Sequence, residues 1–180
     1  MLIRACSIGL TLICWIASAG CGDSDGLNLA PVRGTVTFDG KPAKGGFVLF
    51  EPVGTGSHSG PSAMGKINDD GSFVLTTKQA SDGATIGENR VAIAIIDTDK
   101  PIEEASEKDA PQSRADVLRN VRSTPRDANV WRDFAGRLYR VLTPKKLKDP
   151  AQSGISVSVQ PGSNVFEFTI GPDGSVQIEG

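Results

Sequence analysis

The run Gly60-Pro61-Ser62-Ala63-Met64-Gly65-Lys66 has the glycine and lysine spacing of a loop that cradles a phosphate. Phosphate chemistry needs more than that spacing. A hydroxyl residue should follow the lysine to hold Mg²⁺, a strand should lead in, and a helix should follow with its N-terminus aimed at the anion. Ile67 stands where the hydroxyl belongs, and neither flanking element is legible. The run therefore reads as a loop, with Ala63–Ile67 as a candidate short strand. Asn68-Asp69-Asp70-Gly71 gathers three oxygen-bearing side chains beside a glycine, as a calcium loop does. The further ligands and downstream bidentate Glu are missing, and a β-turn selects the same residue types for backbone reasons. His58 is the only histidine, set in a Gly/Ser loop, which leaves neither a Ser-His-Asp site nor a zinc site to assemble. These counts predict no enzyme, no metal and no cofactor.

The remaining candidates are contact residues rather than catalysts. Trp131, Phe134 and Tyr139 are aromatic platforms of the kind on which a sugar ring stacks. Arg132, Arg137 and Arg140 lie among them, within a basic stretch over 114–148 that also holds Arg114, Arg119, Arg122, Arg126, Lys145, Lys146 and Lys148. The acids of 97–109 precede it, so the segment is polarised in charge. One reading is contact with an anionic partner, a lipid headgroup or an acidic polysaccharide. The competing reading is a solvated face paired with its own acids. The whole chain carries a net charge of −2, which leaves no basic field for nucleic acid.

Three cysteines are present, and two of them, Cys6 and Cys14, fall inside an apolar N-terminal run. Met1 to Arg4 is a short positive start, Ala5–Ala17 is apolar, and Ser18-Ala19-Gly20 supplies small residues before Cys21. That is the three-part layout of a signal peptide over residues 1–20, too short in its apolar part for the roughly 18–20 residues of a spanning helix. Cleavage there leaves Cys21 alone, 18 basic residues against 21 acidic, and a charge of −3. A lone cysteine at a mature N-terminus suits lipid attachment better than a disulfide. Small residues before a cysteine resemble the bacterial lipobox, although Ser18 stands where an aliphatic residue is usual. Ordinary cleavage with an incidental Cys21 thiol is the alternative. Residues 21–30, polar and glycine-containing, read as a tether.

These groups need a scaffold, and the rest of the chain is patterned as strands. Val32, Gly34, Val36 and Phe38 alternate with Arg33, Thr35 and Thr37, and Asp39-Gly40 follows as a hairpin turn. Gly45-Gly46 opens an apolar strand, Phe47–Phe50, which Pro52 ends. Further strands are expected at 72–76, 89–96, 155–159, 165–170 and 176–178, with turns at 68–71, 160–164 and 172–174. Phe47, Leu49, Phe73, Leu75, Val91, Ile93, Ile95, Val157, Val159 and Phe166 are the expected core. Residues 97–148 break the pattern. Ala115, Leu118 and Val121 have helical spacing, as do Trp131, Phe134, Leu138 and Val141, so this stretch reads as a polar, partly helical insertion. The whole predicts an all-β, antiparallel sandwich over 31–180.

Pro31-Val32-Arg33-Gly34-Thr35-Val36-Thr37-Phe38-Asp39-Gly40-Lys41-Pro42, then Gly71-Ser72-Phe73, then Asp82-Gly83-Ala84 with Gly87, resemble the carboxypeptidase regulatory-like, or transthyretin-like, domains. The similarity is nearest to the small lipoproteins of that type found in planctomycete bacteria. Leu142-Thr143-Pro144-Lys145-Lys146, Ser153-Gly154-Ile155 and Gly162-Ser163-Asn164 continue it, while the middle insertion matches poorly. The resemblance implies a Greek-key sandwich of about seven strands in a cell-envelope setting, and it transfers no active site. Some transthyretin relatives are hydrolases that rely on several histidines and a Tyr-Arg-Gly-Ser ending, neither of which this sequence shows. The expected function is a non-catalytic envelope lipoprotein carrying a structural or interaction module, anchored to a membrane and contacting an envelope protein or polysaccharide. The alternative is a carbohydrate-binding module at the cell surface or in the periplasm.

Overall fold

The structure is a computed structural model that describes residues 27–55, 59–99, 101–102, 113, 129–133 and 135–180. Among the described residues thirteen strands follow in chain order. They are β1 (Leu29–Ala30), β2 (Val32–Phe38), β3 (Lys41–Pro42), β4 (Gly46–Pro52), β5 (Ala63–Lys66), β6 (Ser72–Val74) and β7 (Ala84–Thr85). The rest are β8 (Gly87–Ile95), β9 (Val130–Arg132), β10 (Leu138–Arg140), β11 (Ser156–Val159), β12 (Asn164–Ile170) and β13 (Val176–Glu179). The expected turns are where composition placed them. Asp39 and Gly40 both take positive φ, 49° and 72°, and join β2 to β3. Asp70 closes the 68–71 turn by accepting from the Ser72 N–H at 2.9 Å and the Ser72 hydroxyl at 2.6 Å. The same two bonds hold the exposed Asp70 carboxyl below its usual pKa range.

Two sheets carry the body. One is four-stranded, in the order β11-β8-β4-β5, and antiparallel throughout. The other has β13-β12-β2 with β3 and β6 both against the far side of β2. The sheets face each other across one apolar core. Phe50 from the first sheet meets Phe166 and Phe168 from the second at 5.8 and 6.4 Å, and Phe73 lies 6.1 Å from Phe168. Gly34 makes room for this stack, because a Cβ there would sit 1.8 Å from the Phe166 carbonyl oxygen and 2.9 Å from the Phe73 ring. The molecule is all-β and sandwich-like.

Four expectations change. Phe47 and Leu49 are not core residues; Val48 and Phe50 are, fully buried, while Phe47 and Leu49 point to the outer face. A wholly apolar run offers no alternation from which to choose a face, so the register of β4 was not legible. Pairing is not antiparallel everywhere, since β2 and β12 run parallel from Val32 with Asn164 to Phe38 with Ile170. No hairpin links those two strands, so nothing local dictates their direction. Strand pairing also begins earlier than residue 31, with Leu29 against Thr85 and Ala30 against Ala84.

The fourth change concerns the insertion. Trp131, Leu138 and Val141 do not lie on a helix: β9 and β10 form an antiparallel hairpin that pairs Trp131 with Tyr139. Spacings of three and four mimic a helix because the 133–137 turn resets the phase between two short strands. Gly136, at φ 91°, turns the chain where a helix could not continue. Among the described residues the only helix is one 3₁₀ turn, Lys145–Lys148, which buries Leu147 in the main core. The Ala115, Leu118 and Val121 spacing lies outside the described residues. No helix among those described is long and apolar enough to cross a membrane.

Candidate functional site

The site grows out of an asymmetry in β8. Its first residues alternate, but from Val91 to Ile95 every side chain is buried. Val91, Ile93 and Ile95 face the main core, while Ala94 and Ile96 belong to a second cluster with Tyr139 and Val141, against which Phe47 and Trp131 pack. Small alanines on this outer side let the hairpin approach closely. The chain leaving β8 continues beside β10, with Asp97 N–H donating to the Arg140 carbonyl at 2.9 Å and Leu142 N–H to that of Ile95 at 2.8 Å. Thr143 locks the junction. Its buried hydroxyl accepts from the Ile95 N–H at 3.3 Å and donates to the Ile93 carbonyl at 3.2 Å. Asn129 holds the other end, its amide donating to the carbonyls of Val141 and Thr143 at 2.9 and 2.7 Å.

The hairpin covers β8 and stops short of β5, so a groove of about 750 Å³ lies between them. Phe47 and the Gly45–Gly46 backbone line it from the sheet, Met64 and Lys66 line the β5 side, and Trp131 and Tyr139 line the hairpin side. Gly46 cannot be anything larger: a Cβ would lie 2.0 Å from the Ala94 carbonyl oxygen, and its φ is +114°. Trp131 and Tyr139 rings are 5.9 Å apart, tilted by 40°. Asp133 organises the hairpin tip. Its carboxylate accepts from the Arg137 backbone N–H and from Arg137 Nε, both at 2.8 Å. The Arg137 guanidinium lies 5.7 Å from the centre of the Tyr139 ring, within cation–π range.

Of the residues singled out from sequence, Trp131, Arg137 and Tyr139 are brought together on this groove. Arg132 belongs to the hairpin turn instead, where its guanidinium donates to the Gly136 carbonyl. Arg140 is exposed on β10 and does not line the groove. Phe134, Cys21 and His58 lie outside the described residues. Sequence reasoning missed Phe47, Met64, Lys66 and Asp133. Met64 stood inside the loop-like 60–66 run, and only the structure shows it as a large apolar side chain left 55% exposed on β5. That same strand removes the phosphate-loop reading, because the backbone of 63–66 is paired to β4 rather than arched around an anion.

No group of three or more His, Cys, Asp or Glu side chains converges among the described residues as a metal ion would require. Elsewhere, one carboxylate is built into the scaffold. Burial pushes the Asp82 carboxyl upward, but the backbone N–H groups of Gln79, Thr77 and Lys78 together outweigh it and hold the pKa low. Those N–H groups lie 2.8, 2.6 and 2.9 Å from its oxygens. No family model, no curated protein and no solved structure matches the chain.

Proposed function

We propose that the chain is an exported lipoprotein of the cell envelope, held to a membrane by lipid on Cys21, and that its folded part is a non-catalytic interaction module. The observation that carries this reading is the order of residues 1–21: a positive start, a short apolar run, small residues, then a cysteine. Strand pairing at Leu29 adds a physical consequence. Six residues, or seven Cα–Cα steps, separate Cys21 from Asn28, so the module stands at most about 25 Å from its lipid. In this reading the sandwich is of the Greek-key, transthyretin-like type, supported by the turn motifs at 31–42, 71–73 and 82–87 and by two sheets over one core. Metabolic labelling with a palmitate analogue, followed by membrane fractionation, tests the anchor. Label should appear on the wild type and vanish in Cys21→Ala, which should leave the membrane fraction. An unlabelled, fully soluble wild type would overturn the reading.

A second reading, a carbohydrate-binding module, is favoured by one specific observation. The groove places Trp131 and Tyr139 beside charged side chains in a concavity large enough for a small ligand.

A further inference from the structure

We infer that the groove between the β9–β10 hairpin and β5 binds an acidic saccharide, with a sugar ring against Trp131 and its carboxylate against Lys66. The inference deepens the carbohydrate reading by naming the ligand's charge and the residues that meet it. It rests on the envelope-module reading only for where that ligand is encountered.

Three features of the groove select the ligand. First, the apolar surface is largely aromatic. Phe47 is half-buried beneath it, Trp131 is partly exposed, and Met64 is left 55% exposed on the opposite side. A pyranose ring has one face of C–H groups that suits such a surface, and hydroxyls around its rim that remain in water.

Second, the accessible charge is positive. Lys66 is exposed on β5, and the Arg137 side chain is 46% exposed. Asp133, the acid among the lining residues, is only 12% exposed in its side chain and already accepts two bonds from Arg137. Its charge is therefore answered within the hairpin, while Lys66 is an exposed cation on the groove wall. A neutral sugar leaves that ammonium without a role, and a carboxylate gives it a charge-assisted hydrogen bond. An acyl chain fits less well, since it would bring apolar carbon against two cations.

Third, the floor offers no backbone edge. β4 is paired to β5 on one side and to β8 on the other, so a peptide cannot add there as an extra strand. Recognition falls to side chains, as it does when proteins hold sugars by ring faces and rim groups.

The test uses the detergent-solubilised full-length protein and immobilised polygalacturonate, with dextran as the neutral polymer and polyglutamate as the acidic non-sugar. The protein should be retained on polygalacturonate alone, and less strongly as salt rises. Lys66→Glu reverses an exposed charge, and Met64→Asp sets a carboxylate on the same wall without touching the hairpin. Each should weaken retention at least about tenfold with an unchanged melting curve. Trp131→Ala should weaken it as much, but it also removes the ring packed on Tyr139, so the two β5 variants carry the decision. Equal retention on dextran or polyglutamate, undiminished retention of both β5 variants, or no retention on polygalacturonate would each overturn the inference. Palmitate labelling of Cys21 in the same preparations reports separately on the lipoprotein reading.

Discussion

The two faces of the four-stranded sheet are built on different rules. The inner face carries Val48, Phe50, Val91, Ile93 and Ile95, which interlock with Phe166 and Phe168 across the sandwich. The outer face carries Ala94 and Ile96 under the hairpin, then Phe47 and Met64 progressively less covered toward β5. Large side chains make the first face a packed core in which each ring fixes its neighbours. The small Ala94 makes the second a seat for a separately held element. Stability is concentrated on one face and the candidate binding surface on the other, so variation in the hairpin leaves the core intact.

The largest expected effect is on the inner face. Phe50→Ala should cost about 3–5 kcal/mol in urea unfolding, and Phe73→Ala, on the facing sheet, should cost about as much. A loss below about 1 kcal/mol at both would dissolve the contrast between the faces. Overpacking the outer face comes next. Ala94→Leu should cost about 1–3 kcal/mol by lifting the hairpin, and it should abolish groove-dependent binding at temperatures where the fold persists. If it proved as costly as Phe50→Ala, the hairpin would be part of the core rather than seated on it.

Asp133→Ala sharpens the comparison further, since it frees two donors of Arg137 at the hairpin tip. A loss of about 1–2 kcal/mol is expected, together with a red shift of Trp131 emission measured in a Trp15→Phe background. An unshifted emission would mean that the tip holds itself without the carboxylate. The smallest effect lies in the scaffold loop at 77–83. Asp82 has a folded pKa below its unfolded one, so it stabilises the fold above the unfolded value of about 3.9. That contribution is lost as pH falls through the lower, folded value. Acidification from neutral pH should therefore destabilise the wild type more than Asp82→Asn, by about 1 kcal/mol after allowance for solvent screening. Identical pH dependence in the two proteins would assign the loop's order to its backbone alone.

Much of the core was legible because alternation encodes it. Val32, Val36, Phe73, Leu75, Val157, Val159 and Phe166 each sit one residue from a polar neighbour, and all are buried. β4 was legible as a strand but not as a register, since Phe47–Phe50 has no polar residue to orient it. The site was half legible. Trp131, Arg137 and Tyr139 stood out by residue type, whereas the hairpin that groups them is set by Gly136, by Asp133 and by long-range bonds from Thr143 and Asn129. None of those bonds has a local sequence signature. Met64 and Lys66 join the groove only through the β4–β5 pairing, a contact that spacing along the chain does not reveal.

The parallel pairing of β2 with β12 sets the order in which this domain becomes whole. Asn164 N–H donates to the Pro31 carbonyl at 2.9 Å and Asp39 N–H to that of Ile170 at 3.0 Å, so a strand from the start of the fold is clamped along its length by one from near the end. Phe166 and Phe168, which fill the core against Phe50 and Phe73, arrive on that late strand. A nascent chain that has reached only residue 150 can pair β4 with β5 and β8, but half its aromatic core is still unmade. Closing so long a loop is slow relative to local hairpins. The final sixth of the polypeptide thus acts as a latch: until it emerges one wall of the core is missing, and once it docks the domain shuts around it.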